Sequence, residues 1–317
     1  MRRILFCVLV LVIMIVPVSA DTIKWVNFDV PYESLSYAMQ QDIDSYEKEL
    51  HISWIDILSV AACRTGGKCP LASVKKAAGD LKTGKSPEDI LGNLHQYYDY
   101  YHRSYTAVLG GMLGTYAIEK DGKEIITYGL KAFSPIAAGY GYSHSADFGN
   151  SRSFGFQRKH LGNDIMGSLG TPIVAVEGGV IEVMGWNRYG GWRIGIRSFD
   201  SKRYYYYAHL QKDHPFNSGL QEGDIVQAGD VIGFMGRTGY SDKENVNNIS
   251  AVHLHFGVQL VFEESQKECL SEIWVDVYDI VRLLSNHRSS VQKTESGWQR
   301  MYPYQDLDLP NFTEKIS

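Results

Sequence analysis

The run AVHLHFGVQLVF is the most constraining feature of this 317-residue chain. Val252, Leu254, Phe256, Val258, Leu260 and Phe262 alternate with His253, His255, Gly257 and Gln259. A period of two is what a strand buried on one face requires. The apolar face belongs to a core, and the other face carries two imidazoles about 6 to 7 Å apart along the strand. Residues 204–210 read the same way, as a strand with Tyr205, Tyr207 and His209 on one face and Tyr204, Tyr206, Ala208 and Leu210 on the other.

A second cluster, RKHLGNDI, holds His160 and Asp164. Catalytic zinc takes three nitrogen or oxygen ligands from protein and leaves one position open. An H-x3-D pair plus one histidine of an H-x-H supplies that count, and the remaining imidazole is free for proton transfer. A glutamate placed as in H-E-x-x-H proteases is missing from the sequence, so histidines must do that work.

These clusters stand in an ordered series: RKHLGNDI, GTPIVAVEGGVIEVMGWNRYGG, YYYYAHL, EGDIVQAGDVIGFMGRTG, then HLHFGVQL, over residues 154–262. In this order they resemble the lysostaphin-type, LytM-domain zinc metallopeptidases that cut peptide bonds in bacterial cell walls. The resemblance implies an all-β antiparallel domain with one Zn2+ per chain, bound by His160, Asp164 and His255. It also implies that His209 and His253 act on the water and the tetrahedral intermediate. The expected function is an exported zinc metalloendopeptidase hydrolysing amide bonds in peptidoglycan stem or cross-bridge peptides. The alternative is a catalytically silent cell-envelope scaffold or partner-binding module with a retained metal site, against which the intact set of five residues argues. A biotin- or lipoyl-carrier sandwich, prompted by EGDIVQAGDVIGFMG, lacks its Met-Lys turn. Two departures from the family pattern bear on substrate preference: the polar segment 241–251 before HLH, and Gly257 where an acidic residue is common.

The rest of the chain frames this domain. Residues 1–20 read as a secretory signal, with Arg2 and Arg3, an apolar core over residues 4–16 containing Cys7 as a small hydrophobe, and Val18-Ser19-Ala20 for cleavage. The expected location is therefore secreted, in the cell envelope, with no transmembrane span in the mature chain. Removing Arg2 and Arg3 leaves 29 basic residues (31 less 2) against 36 acidic ones, a charge of −7, which excludes nucleic acid as a partner. Oligomeric state is open.

The expected class is thus α+β and multidomain, an N-terminal helical domain followed by an all-β antiparallel metallopeptidase domain. Residues 21–116 carry a 3.6-residue apolar period, and SPEDIL opens on a serine cap. The tyrosines of QYYDYYHRSY read as packing at a helix interface. Residues 117–153 are expected as a Gly/Ser-containing lead-in, and residues 263–317 as a polar tail with a short helix over 275–284. Cys63 and Cys69 can close a small disulfide loop in an exported protein or remain thiols, and Cys269 is read as unpaired.

Overall fold

A computed structural model describes residues 23–308 apart from residues 27, 121, 156, 269 and 270. The signal segment 1–20, Cys7 and Cys269 lie outside the described residues. The described residues start with β1 (Ile23–Val26), α1 (Tyr32–Ser45), α2 (Trp54–Thr65), α3 (Leu71–Leu81) and α4 (Pro87–Leu91). A 3₁₀ turn over Gly92–Tyr97 leads into α5 (Tyr98–Leu109). Next come β2 (Leu113–Lys120), β3 (Lys123–Leu130), β4 (Ser143–His144), β5 (Ser151–Arg152), β6 (Arg158–Lys159), β7 (Asn163–Met166) and β8 (Pro172–Val174). After them run β9 (Gly179–Asn187), β10 (Gly191–Ser198), β11 (Arg203–Ala208), β12 (Ile225–Val226), β13 (Val231–Phe234) and β14 (His253–Leu260). The described residues close with β15 (Glu272–Val275), α6 (Tyr278–Leu284), β16 (Val291–Thr294), β17 (Gly297–Arg300) and β18 (Tyr304–Asp306).

Local chemistry explains the helical layer. Ser53 caps α2 by accepting from the Ile55 amide at 3.1 Å, and Ser86 caps α4 from the Asp89 amide at 3.1 Å. α2 ends at Gly66 with φ 65°, a conformation glycine adopts without penalty. Because Ile57, Leu58, Val60, Ala61 and Ala62 are fully buried, α2 forms the centre of the helical layer. Gly92, at φ 52°, separates α4 from the 3₁₀ turn and α5 that follow it. The tyrosines divide: Tyr98 donates to Asp56 at 2.6 Å and Tyr105 is buried, whereas Tyr97 and Tyr100 are exposed. Cys63 and Cys69 are free thiols; Cys69 faces the Tyr105 hydroxyl at 3.4 Å, and burial pushes its thiol up to about 11. Among the described residues no helix is long and apolar enough to cross a membrane.

A nine-stranded sheet carries the second layer, in the order β1-β15-β14-β11-β10-β9-β12, with β7 and then β4 on the β14 edge. All its pairings are antiparallel except β1 with β15. β7 and β15 share one edge of β14: β7 pairs along His253 to Phe256 and β15 along Val258 to Leu260. Tyr205, Tyr207, Leu254, Phe256 and Val258 join the residues of α2 and α5 in one continuous core. Arg203, fully buried, ties the layers together by donating to the Ala107 carbonyl at 2.9 Å and to Glu177 at 2.8 Å.

Two segments differ from the sequence reading. Residues 113–130 form a β-hairpin, β2 with β3, rather than the end of a helical region and a lead-in. Alternating residues and a turn at Gly122, φ 70°, favour the hairpin once β18 is available to extend it into a three-stranded sheet. The expected polar tail is largely structured: β15 joins the main sheet, α6 buries Ile280, Val281, Leu283 and Leu284, and β18 pairs with β2. Lys131 pins that return, with its Nζ 2.9 Å from both Asp306 and Asp308. EIWV and YDIVRLL hold enough apolar surface to dock, which a whole-segment count of polar residues conceals.

Candidate active site

Strand pairing assembles the cluster. Asp164 on β7 stands directly opposite His255 on β14, so two residues 91 positions apart share a face of the sheet. His160 enters from the loop between β6 and β7. The three ligand atoms form a near-equilateral triangle: His160 Nε2 to Asp164 Oδ1 2.9 Å, His160 Nε2 to His255 Nδ1 2.9 Å, and His255 Nδ1 to Asp164 Oδ1 3.0 Å.

This donor set fits a small divalent cation. His160 Nδ1 donates to the Asp147 carbonyl at 3.1 Å, so Nε2 presents a lone pair to the cluster. Asp164 Oδ1 accepts only. Burial raises the Asp164 carboxyl, but the His160 and His255 imidazoles beside it outweigh burial and hold it well below the usual carboxylate range. Burial, with His160 and His253 nearby, lowers His255 and favours the neutral ring a metal needs. Electron-rich atoms with edges of 2.9 to 3.0 Å are close to the roughly 3.3 Å edge of a tetrahedron with bonds of about 2.0 to 2.1 Å. His160, Asp164 and His255 are thus able to hold a metal.

Residues that the sequence reading passed over support the triangle. Asp147 lies behind His160, its Oδ2 3.3 Å from Nδ1, and Arg152 reaches both Asp147 at 3.3 Å and Asp164 Oδ2 at 2.9 Å. Arg152 thereby occupies the second Asp164 oxygen and turns Oδ1 alone to the cluster. Gly162 lies flat against His255; a Cβ there would come within 2.7 Å of Cε1 and Nε2. The signal for Gly162 was present in HLGND, but Asp147 and Arg152 sit in the segment read as a lead-in and had none.

His209 and His253 complete the face, with His209 on the side opposite to that expected. The strand ends at Ala208, and His209 takes φ 62°, the left-handed region. That reverses the alternation, so Tyr205 and Tyr207 point into the core while His209 joins Tyr204 and Tyr206 along the groove. A strained backbone at such a position is held by its surroundings: the His209 amide bonds the Gly190 carbonyl at 2.7 Å and its Nδ1 the Thr238 carbonyl at 2.9 Å. Burial first, then His253 and His255, hold the His209 imidazole well below its ordinary range. His253 Nδ1 bonds the Ala251 carbonyl at 3.0 Å and its Nε2 lies 3.7 Å from Asp164 Oδ1. The rings of His209 and His253 are 4.8 Å apart and those of His209 and His255 5.8 Å.

The two sequence departures acquire physical reasons. Gly257 is where Trp274 lies down: a Cβ would meet its ring at 2.7 Å and the Leu161 carbonyl at 2.9 Å, leaving no room for an acidic side chain. Segment 241–251 is tied back by Asn245, which accepts from Trp192 Nε1 at 2.9 Å and from the Asp213 amide at 2.9 Å. Tyr240, at its start, reaches the groove, stacked on Phe154 at 4.6 Å.

An antiparallel sheet thus bears on one open face a His-Asp-His cluster able to hold a metal, with two further histidines beside it. Residues 158–267 match peptidase family M23, and the chain carries a domain of that family. Over 196 residues, 57% of this chain and 57% of the relative, it is 35% identical to the L-Ala--D-Glu endopeptidase of Bacillus subtilis. It is 40% identical over 98 residues to lysostaphin of Staphylococcus simulans, covering 31% of this chain and 17% of lysostaphin. The chain therefore spans little more than half of the first relative and a small part of the second. In fold it is similar to a solved lytM structure from Ruminococcus gnavus, with a TM-score of 0.54 and 23% identity over 82% of this chain and 90% of that one.

Proposed function

We propose that this protein is an exported zinc metalloendopeptidase that hydrolyses amide bonds in peptidoglycan peptides. The observation carrying this reading is the His160–Asp164–His255 triangle with His209 and His253 on the same face. The family match over residues 158–267 and the similarity to an L-Ala--D-Glu endopeptidase and to lysostaphin support it. The signal-like residues 1–20 support export.

His160 through Nε2, Asp164 through Oδ1 and His255 through Nδ1 would hold one Zn2+ per chain. Bound zinc supplies Lewis acidity to the scissile carbonyl and lowers the pKa of a water from 15.7 to about 7. Asp147 fixes the His160 tautomer and Arg152 fixes the Asp164 orientation, the outer support that ligand sets require. His209 and His253 each give Nδ1–H to a backbone carbonyl, which leaves Nε2 of each as a base. One of them takes the proton of the attacking water and, once protonated, can pass it to the leaving amine; the other would stabilise the developing oxyanion by donating from Nε2 in its doubly protonated form.

Metal analysis of the purified mature chain, followed by digestion of muropeptides read by mass spectrometry, tests this reading. About one zinc per chain and a defined cleaved amide are expected. Zinc without hydrolysis would instead support a silent scaffold, and absence of bound metal at saturating zinc would end the ligand assignment.

A further inference from the structure

The groove beside the histidines is uneven in charge. Register pairs Gly195 of β10 with Tyr206 and Arg197 with Tyr204, so Arg193, two residues before Gly195, shares their face and lines the groove. Most charged groups there are engaged. Arg197 donates to Glu182 at 3.1 Å, Glu272 accepts from Trp274 Nε1 at 2.9 Å, and Arg152 binds Asp164 and Asp147. Arg158 donates to the Phe154 carbonyl at 2.7 Å and lies 4.9 Å from the Tyr189 ring. Arg193 differs in combining two features: its Nε, like that of Arg197, is buried with no hydrogen-bond partner, and, unlike Arg197 with Glu182, its guanidinium has no ion pair among the described residues. Lys159, also without a carboxylate partner among the described residues, is an exposed lysine at the groove rim. An unmatched buried nitrogen on a permanently charged group costs free energy that an arriving carboxylate would recover through charge-assisted hydrogen bonds.

Its position defines what can reach it. His255 is in register with Ala208, and Ile194 with Tyr207, which places Arg193 across from Ala208 in the same row as His255. One strand, β11, separates β10 from β14. With strands about 4.8 Å apart, the Arg193 backbone is about 10 Å from that of His255. An extended peptide advances about 3.3 to 3.6 Å per residue, so this corresponds to about three residues.

We infer that Arg193 is a specificity-determining residue that receives a free carboxylate borne within about three residues of the scissile bond. The substrate class is then an acidic stem peptide, one with a γ-linked glutamyl residue whose α-carboxylate is free or with a free C-terminal carboxylate, rather than a polyglycine bridge without side-chain charge. This rests on the peptidase reading above.

The test compares kcat/KM of the zinc-loaded mature chain on L-Ala-γ-D-Glu-L-Lys-D-Ala, on the same peptide amidated at the glutamyl α-carboxyl, on the peptide amidated at its C-terminus, and on pentaglycine. The wild type should prefer the free acid over one of the two amides by about 10- to 100-fold, mostly in KM, the scale of a lost charge-assisted contact. Which amide loses identifies the carboxylate. Arg193→Gln should erase that preference with kcat and zinc content retained, and Arg193→Lys should restore part of it. Equal rates on acid and both amides by the wild type, preference for pentaglycine, or an equal loss on every peptide in Arg193→Gln would overturn the subsite while leaving the peptidase reading intact. Failure of the zinc-loaded wild type to cut any of the four would overturn both.

Discussion

Gly162→Ala isolates the geometry of the proposed metal cluster from its chemistry, because it removes none of the three residues proposed as ligands. A Cβ at position 162 would lie 2.7 Å from His255 Cε1 and Nε2 and from the Phe256 carbonyl oxygen, where ordinary contact starts at 3.4 Å. About 0.7 Å must therefore be recovered (3.4 less 2.7). The Phe256 oxygen belongs to the central strand β14 and cannot retreat without breaking its pairing with β7 and β11, so the His255 ring moves. Metal–ligand distances tolerate only about ±0.2 Å. A displaced ligand should weaken zinc by about 10- to 100-fold, the range for lost outer support, equivalent to about 1.4 to 2.8 kcal/mol. Overpacking should also cost the metal-free protein about 1 to 3 kcal/mol. Chelator competition measures the first effect and urea unfolding of metal-free protein the second. Gly141→Ala, where a Cβ meets nothing within 4 Å, is the control. A zinc Kd for Gly162→Ala within twofold of wild type would refute the claim that this glycine seats His255.

Three further outcomes are expected. Arg152→Ala frees Asp164 Oδ2 from its 2.9 Å contact and should lower zinc affinity by about tenfold, measured by the same competition; unchanged affinity would remove Arg152 from the site. His209→Ala and His253→Ala should each keep zinc and slow muropeptide hydrolysis by about 100-fold or more, and rates within a few fold of wild type would deny them a part in the chemistry. A fragment of residues 137–317 leaves Arg203 without the Ala107 carbonyl and β18 without β2; its urea midpoint should fall well below that of the mature chain, and an equal midpoint would mean the β-layer stands alone.

The parts legible in the sequence were those encoded by neighbours along the chain. Alternation in AVHLHFG specified a strand with His253 and His255 on its open face, and β14 carries them there. Ser86 before Pro87-Glu88-Asp89 announced a helix start, and its hydroxyl does cap α4. Period and capping depend on residues within a few positions, so no partner is needed to read them. What joins His160 and Asp164 to His255 is the register of β7 against β14, a contact between residues 91 apart that only the folded sheet specifies. The face of His209 was misread for a similar reason. Period two predicts that it points with Tyr205 and Tyr207, but a φ of 62°, held by the Gly190 and Thr238 carbonyls from other strands and loops, turns it to the groove. Asp147, Arg152 and Trp274 carry no local mark, since each matters through what it touches across the fold. Strand existence and side-chain types are local properties of this chain, whereas the convergence of His160, Asp164 and His255 is decided by long-range pairing, and the placing of His209 beside them by a left-handed backbone that tertiary hydrogen bonds hold in place.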